Sequence, residues 1–340
     1  MSDLDELLKE LNSGSKAKEG LKSGFVAILG RPNVGKSTMM NHLIGMKIAA
    51  VSSRAQTTRK RIQTVYTDER GQIVFLDTPG INKAETKLGE YMLEAAVDSL
   101  KTADIIMWIV EPSTFIGAGE KVIASYIGKA VRDIRKKTPE RIDGDVNIPV
   151  ILVVNKIDTI NSDVDKDSYL EEVISTYKEY MEENEEISFD EVIPISSTDG
   201  TNQDKLMQTI YDRLPVGPMY FDEDTITDET EREIASEFIR EKCLRNLDKE
   251  IPHGIAVIID KMKTRPDGSL IDIEATIICE KESHKGIIIG KKGVMLKKIG
   301  IQSRKSIEDM LETKVNLKLW VKVRPGWRDK SLYMQEYGYK

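Results

Sequence analysis

Gly30-Arg31-Pro32-Asn33-Val34-Gly35-Lys36-Ser37 combines two glycines, a lysine and a hydroxyl at the spacing G-x-x-x-x-G-K-S. That spacing suits an anion. The glycines let successive backbone N–H groups turn inward, and a helix beginning directly afterwards adds partial positive charge. Lys36 would reach the β and γ phosphates of a nucleotide, and Ser37, followed by Thr38, would offer a hydroxyl to Mg²⁺. The apolar run "FVAIL" precedes the loop, which is the strand-then-helix context that makes the spacing specific. A plain tight turn would need neither the lysine nor the serine.

Two further motifs say which nucleotide. "VILVVNKID" is an apolar run ending in Asn155-Lys156-Ile157-Asp158. A carboxylate only accepts hydrogen bonds, and guanine presents N1–H and N2–H₂ side by side for Asp158 to accept. Adenine offers no such pair, so an ATPase reading leaves Asp158 unexplained. "IVFLDTPG" places Asp77 at the end of another apolar run, to hold Mg²⁺, followed by Thr78, Pro79 and Gly80, whose N–H would meet the γ phosphate. Between these motifs lies "SSRAQTTRKR". Thr58 there, with Thr57 as the alternative, is the candidate third Mg²⁺ ligand, held while GTP is bound and released after hydrolysis. Ser196 and Ser197 follow "VIPI", where a backbone N–H would meet the guanine carbonyl oxygen. Taken in chain order, the set implies GTP binding and hydrolysis.

A different chemistry occupies the C-terminal third. "GIIIGKKGVMLKKIG" contains Gly290-Lys291-Lys292-Gly293 with Ile289 before it and a lysine-bearing helical stretch after it. A bare G-x-x-G carries almost no information. In this setting it is the KH pattern, in which the loop clamps the backbone of a single strand of about four nucleotides. Ile287, Ile289 and Ile299 are the candidate lining of the base groove. The few aromatic residues in this region argue against a stacking platform.

The elements that must position these residues can be read in outline. Strand candidates fall at 25–29, 62–67, 73–77, 104–110, 149–154 and 192–195, with helical stretches at 36–44, 87–101, 121–136, 168–182 and 203–213. Continuous apolar runs alternating with helices imply an α/β fold with a largely parallel sheet buried on both faces. "LPVGPMY" ends this pattern. A helix at 230–246, strands at 255–261, 270–279 and 315–323, and a helix at 303–313 imply a second, α+β unit. The expected division is an N-terminal extension over 1–22, a GTPase domain over 23–216, a linker over 217–230, a KH domain of type II over 231–330 and a C-terminal tail over 331–340. Leu4, Leu7, Leu8 and Leu11 stand at helical spacing within the extension, which reads as a frayed tail.

The totals agree. Of 340 residues, 40% are hydrophobic and 31% charged, as in ordinary globular proteins. The two cysteines form no disulfide or zinc pattern and fit a reducing compartment. No signal-peptide core or membrane-spanning run is expected. Residues 281–340 hold 15 Lys/Arg against 6 Asp/Glu, so in a chain of net charge −7 the first 280 residues carry about −16. A basic end on an acidic body suits a polyanionic partner.

One chain with GRPNVGKS, AQTTR, DTPG and NKID, joined to a C-terminal IIGKKG, resembles the Era family of GTPases over about residues 23–330. The resemblance implies a Ras-like P-loop domain followed by a KH domain, with GTP/GDP and Mg²⁺ as ligands. It implies recognition of the 3′ end of small-subunit (16S) ribosomal RNA and a role in assembling the 30S subunit. It also implies a cytoplasmic location, with peripheral membrane association ascribed to the family. The position after Gly80 is Ile81, which cannot orient water as a glutamine does. Relatives of that kind use K⁺ at the phosphates, and Asn33 matches their K⁺ ligand. The catalytic set is therefore expected to be Asn33, Lys36, Thr58 and Gly80. Departures from the family are the extension, the longer segments 132–147 and 177–190, and Ser197 where alanine is usual. Two rival readings are an RNA chaperone in which hydrolysis only resets binding, and a membrane-surface signalling GTPase.

Overall fold

The computed structural model describes residues 20–47, 59–80, 86–137 and 148–339. Thr57, Thr58, Ile81, most of the N-terminal extension and residues 138–147 of the longer segment 132–147 lie outside the described residues. The first sheet contains β1 (Lys22–Leu29), β2 (Ile62–Asp68), β3 (Gly71–Asp77), β4 (Ile105–Val110), β5 (Val150–Val154) and β6 (Glu191–Pro194), in the order β2-β3-β1-β4-β5-β6. Only β2 runs antiparallel to its neighbour.

Helices cover both faces of this sheet: α1 (Lys36–Ile44), α2 (Lys87–Thr102), α3 (Ala118–Lys137), α4 (Lys166–Glu185) and α5 (Gln203–Arg213). Along β4, Ile106, Trp108 and Val110 face α2, α3 and α4, while Ile105, Met107 and Ile109 face α1 and α5. Both faces of the strand are buried, which is why it reads as an unbroken apolar run. The carboxyl ends of β1, β3, β5 and β6 lead into Gly30–Ser37, Thr78–Gly80, Asn155–Asp158 and Ser196–Ser197, as expected for a parallel sheet.

The second unit runs α6 (Glu231–Asn246), β7 (Ala256–Thr264), β8 (Ile271–Cys279), α7 (Glu282–Ile289), α8 (Val294–Leu311) and β9 (Val315–Val323). β8 is central, antiparallel to β7 and parallel to β9. Thr230 and Glu233 form a reciprocal cap at the start of α6. One element differs from the sequence expectation: the helix expected from 303 begins at Val294, directly on Gly293. No element is expected from the sequence over 282–289, where α7 is a helix despite its β-branched "GIII". Ile288 is fully buried in the second core, so tertiary burial overrides local propensity there.

The linker and tail are also more ordered than their composition suggests. Residues 226–228 lie along the edge of β2, with the Val65 N–H donating to the Ile226 carbonyl (2.8 Å) and the Gln63 N–H to Asp228 Oδ1 (3.0 Å). At the C-terminus, α9 (Ser331–Glu336) and the buried Tyr337 and Tyr339 pack on Trp327 and on Leu88 and Met92 of α2. Residues 331–339 are thus part of the contact between the two units, because their aromatic rings find partners far away in sequence.

Candidate nucleotide and RNA sites

The phosphate loop begins where β1 ends. Its course requires positive φ at Asn33 (70°) and Gly35 (102°). A Cβ at Gly35 would stand 2.2 Å from Asn155 Nδ2, and one at Gly80 would stand 2.8 Å from the Pro32 ring. Glycine is therefore needed at both places for the loops to approach each other. Lys36 is buried and its Nζ donates to the carbonyls of Gly30 (2.8 Å) and Arg31 (2.9 Å) across the loop. Burial lowers its pKa from 10.5 to about 8, with Asp77 working in the opposite direction. Ser37 Oγ lies 3.5 Å from Asp77 Oδ2, both buried. A hydroxyl beside a carboxylate is a pair of hard oxygen donors and fits Mg²⁺. Thr78 closes the strand end by donating to the Ile28 carbonyl (2.7 Å).

At the other side, Lys156 adopts a left-handed conformation (φ 65°) and Asp158 follows in the short helical turn Ile157–Thr159 with its side chain exposed. Asn155 does something else. It is buried, its Nδ2 donates to the Val34 carbonyl (2.7 Å), and its Oδ1 accepts from the Ser197 N–H (3.0 Å) and Oγ (2.9 Å). One side chain thereby ties the phosphate loop to the loop after β6. Ser196 and Ser197 are both buried after β6; the Ser196 N–H donates to the Thr201 carbonyl (3.2 Å), and Ser197 holds Asn155.

Residues beyond the motifs complete the site. Lys156 pairs with Glu111, directly after β4, and Arg31 with Glu120, in the first turn of α3, bracing the motif loops. The only sequence sign of Glu111 is an acid immediately after a buried strand.

In the second unit, Gly290 has φ 73° and ψ 171°, a region essentially confined to glycine, and a Cβ there would meet Met295 Cβ at 2.8 Å. Lys291 and Lys292 are exposed beside it. Gly293 opens α8, and a Cβ there would meet nothing within 4 Å. A groove of about 360 Å³ runs from Gly293 between α8 and β9, lined by Leu296, Lys297, Ile301, Arg304, Leu317 and Leu319. The sequence expectation for this lining is corrected. Ile299 belongs to the core with Ser303 and Ile307, one face of α8, whereas Leu296, Gly300 and Arg304 form the groove face. Ile287 is half exposed and not among the groove residues. Apolar walls with two cations at the rim can take bases and phosphates together.

Known proteins share this layout. Residues 25–156 match the family model described as 50S ribosome-binding GTPase, residues 128–216 the elongation factor Tu GTP binding domain, and residues 250–328 the KH domain. The chain is 48% identical over 318 residues to the GTPase Era of Clostridioides difficile (strain 630), covering 94% of this chain and 98% of that one. It is 47% identical over 319 residues to the GTPase Era of Alkaliphilus metalliredigens (strain QYMF), covering 94% and 99%. A crystal structure of Era in complex with MgGDPNP and nucleotides 1506–1542 of 16S ribosomal RNA has a TM-score of 0.81 and 38% identity over 94% of this chain and 99% of that one. The structure of a point variant of Aquifex aeolicus Era bound to GDP.AlF4- gives the same TM-score of 0.81 and 38% identity, with the same coverage of 94% and 99%.

Proposed function

The chain belongs to the Era family of GTPases, and from that premise we propose that it is a GTP-driven switch whose KH domain binds the 3′ end of 16S ribosomal RNA and assists assembly of the 30S subunit. It hydrolyses GTP to GDP and phosphate. The observation that carries the RNA reading is the conjunction in one chain of the tied nucleotide loops and the GKKG groove, together with a 38%-identical relative whose structure holds both MgGDPNP and nucleotides 1506–1542 of 16S ribosomal RNA.

The residues divide the work. The N–H groups of Gly30–Ser37 and the Lys36 ammonium would hold the β and γ phosphates, Thr38 standing beside them. Asp158 would accept from guanine, its approach fixed by Asn155, Lys156 and Ser197. Ser37, Asp77 and Thr58 would hold Mg²⁺, which when bound neutralises charge developing on the phosphate oxygens. The Gly80 N–H would mark the γ phosphate. With isoleucine at position 81, Asn33 is the proposed K⁺ ligand, and K⁺ would supply the remaining positive charge at the transition state. Equal turnover in K⁺ and Na⁺ buffers would remove that role.

Association with the 30S subunit and a cytoplasmic location follow from the same reading. No helix of the described residues is long and apolar enough to cross a membrane. Peripheral binding to anionic lipid is the rival for the basic segment, and salt-sensitive vesicle binding that survives RNase would favour it. The test is binding to a 16S 3′-end fragment at fixed salt, with Gly293→Asp as control. Gly293 lies at φ 78° with nothing within 4 Å, so Asp meets no neighbouring atom but carries a left-handed backbone cost of about 1–2 kcal/mol, and thermal unfolding of the variant separates that cost from the effect of the added charge. Binding by the natural chain and loss in the variant is expected. Equal binding by both would overturn the RNA site.

A further inference from the structure

Arg59 immediately follows Thr58 in the sequence, yet its side chain belongs to the other domain. It is 1% exposed. Its Nη1 donates to the Ile255 carbonyl (2.5 Å) and its Nη2 to the His253 carbonyl (2.9 Å), both in the turn that leads into β7. The guanidinium lies 5.9 Å from the centre of the Trp327 ring. Trp327 in turn donates from Nε1 to the Gly254 carbonyl (2.9 Å), between the two residues that Arg59 holds.

The same cluster reaches α2. Tyr339 stacks on Trp327 (5.9 Å) and meets Tyr91 of α2 edge-on (6.0 Å). Leu88 and Met92 pack into the cluster, and Asp329 Oδ1 accepts from the Lys87 N–H (3.2 Å) at the first residue of α2. Arg59, the residue after Thr58, and α2, the first helix after Gly80 in the sequence, therefore both meet the cluster around Trp327.

We infer that Arg59 is a positioning residue by which the KH domain grips the GTPase domain at the residue after Thr58 in the sequence, so that γ-phosphate binding and RNA binding are coupled through this guanidinium. This rests on the switch reading above. An arginine suits the task where a lysine does not, because its planar fork spans two carbonyls while its face lies against an indole. A contact that served only to hold the domains together would alter both affinities without altering their dependence on each other. Coupling is instead a ratio, and by linkage it is the same seen from either ligand.

The experiment measures the affinity of a 16S 3′-end fragment for the full chain loaded with GDPNP or GDP, and the affinity of GDPNP with and without the fragment. The natural chain, Arg59→Lys, Arg59→Ala and Trp327→Phe are compared, with GDP affinity and thermal unfolding as checks of the fold. Functional couplings run at about 5–150-fold. Arg59→Lys and Trp327→Phe are expected to keep GDP binding and to reduce the ratio to within about twofold of unity, by both routes. A folded Arg59→Ala would do the same. If the substituted chains fold and keep the natural ratio, the inference is overturned while the switch reading survives. If the natural chain shows no ratio, the switch reading itself fails.

Discussion

Replacing Asn155 by alanine separates holding the nucleotide site from reading the base. The substitution removes the acceptor of the Ser197 N–H and the donor to the Val34 carbonyl, at residues only 4% and 1% exposed. Ser197 Oγ can rotate to another partner, but the two backbone groups cannot. Each buried backbone group left without a partner costs about 1–3 kcal/mol, or roughly 2–6 kcal/mol together. Val34 sits inside the phosphate loop, so the loss divides between folding and binding. With half in each, GDP binding weakens by roughly 5- to 150-fold. The remaining 1–3 kcal/mol lowers the unfolding temperature by about 2–12 °C for a domain of this size. Fluorescent-GDP displacement and calorimetry read the two parts. The preference for guanine over xanthine nucleotides should stay intact, because Asp158 remains. An unchanged GDP affinity and unfolding temperature would refute the reasoning, and so would a switch in base preference.

The other outcomes can be tested on the same preparation. Asp158→Asn exchanges an acceptor for a mixed donor and acceptor at an exposed side chain, so it should admit xanthosine nucleotides with little loss of stability; retained guanine selectivity in competition assays contradicts the assigned role. Lys36 has its pKa lowered to about 8, and bound phosphates would restore its proton. Nucleotide affinity should therefore fall above pH 8, approaching about tenfold per pH unit. Lys36→Arg should flatten that profile, and parallel profiles would refute the assignment. Burial, then Glu237 and Glu233, push Glu229 up from 4.5 to about 8. Between these values the folded chain keeps a proton that the unfolded chain has released, so this site's contribution to stability falls as pH rises. Glu229→Gln should raise the unfolding temperature more at pH 8.5 than at pH 5.5, and the reverse order would contradict it.

What the sequence makes legible is whatever chemistry forces into fixed types at fixed spacing. The phosphate loop, the Asp77 strand end and the Asn155–Asp158 motif are of this kind, since each needs particular donors or acceptors at one place. The strands buried on both faces are legible for a related reason, because nothing but apolar residues fits them. Relations between distant segments are hidden. Asn155 reads as a base contact until Val34 and Ser197 are seen on either side of it. Nothing in the basic run "RKR" marks Arg59 as an inter-domain residue until its carbonyl partners nearly 200 positions away appear. The groove lining depends on how far α8 extends. Its start at Val294 rather than 303 makes Leu296 and Gly300 share a helix face with Arg304 and puts Ile299 on the core face with Ser303 and Ile307. The closing segment 331–339 has no periodicity to announce it, because its structure comes from aromatic packing against Trp327 and α2.

The central claim is that the GTP site and the RNA groove form one machine. The most direct test is the affinity of the natural chain for a 16S 3′-end fragment, measured at one salt concentration with GDPNP bound and again with GDP bound. The account predicts tighter binding in the GDPNP form. Equal affinity in the two forms would contradict it, leaving a GTPase and an RNA-binding domain that share a chain without sharing a switch.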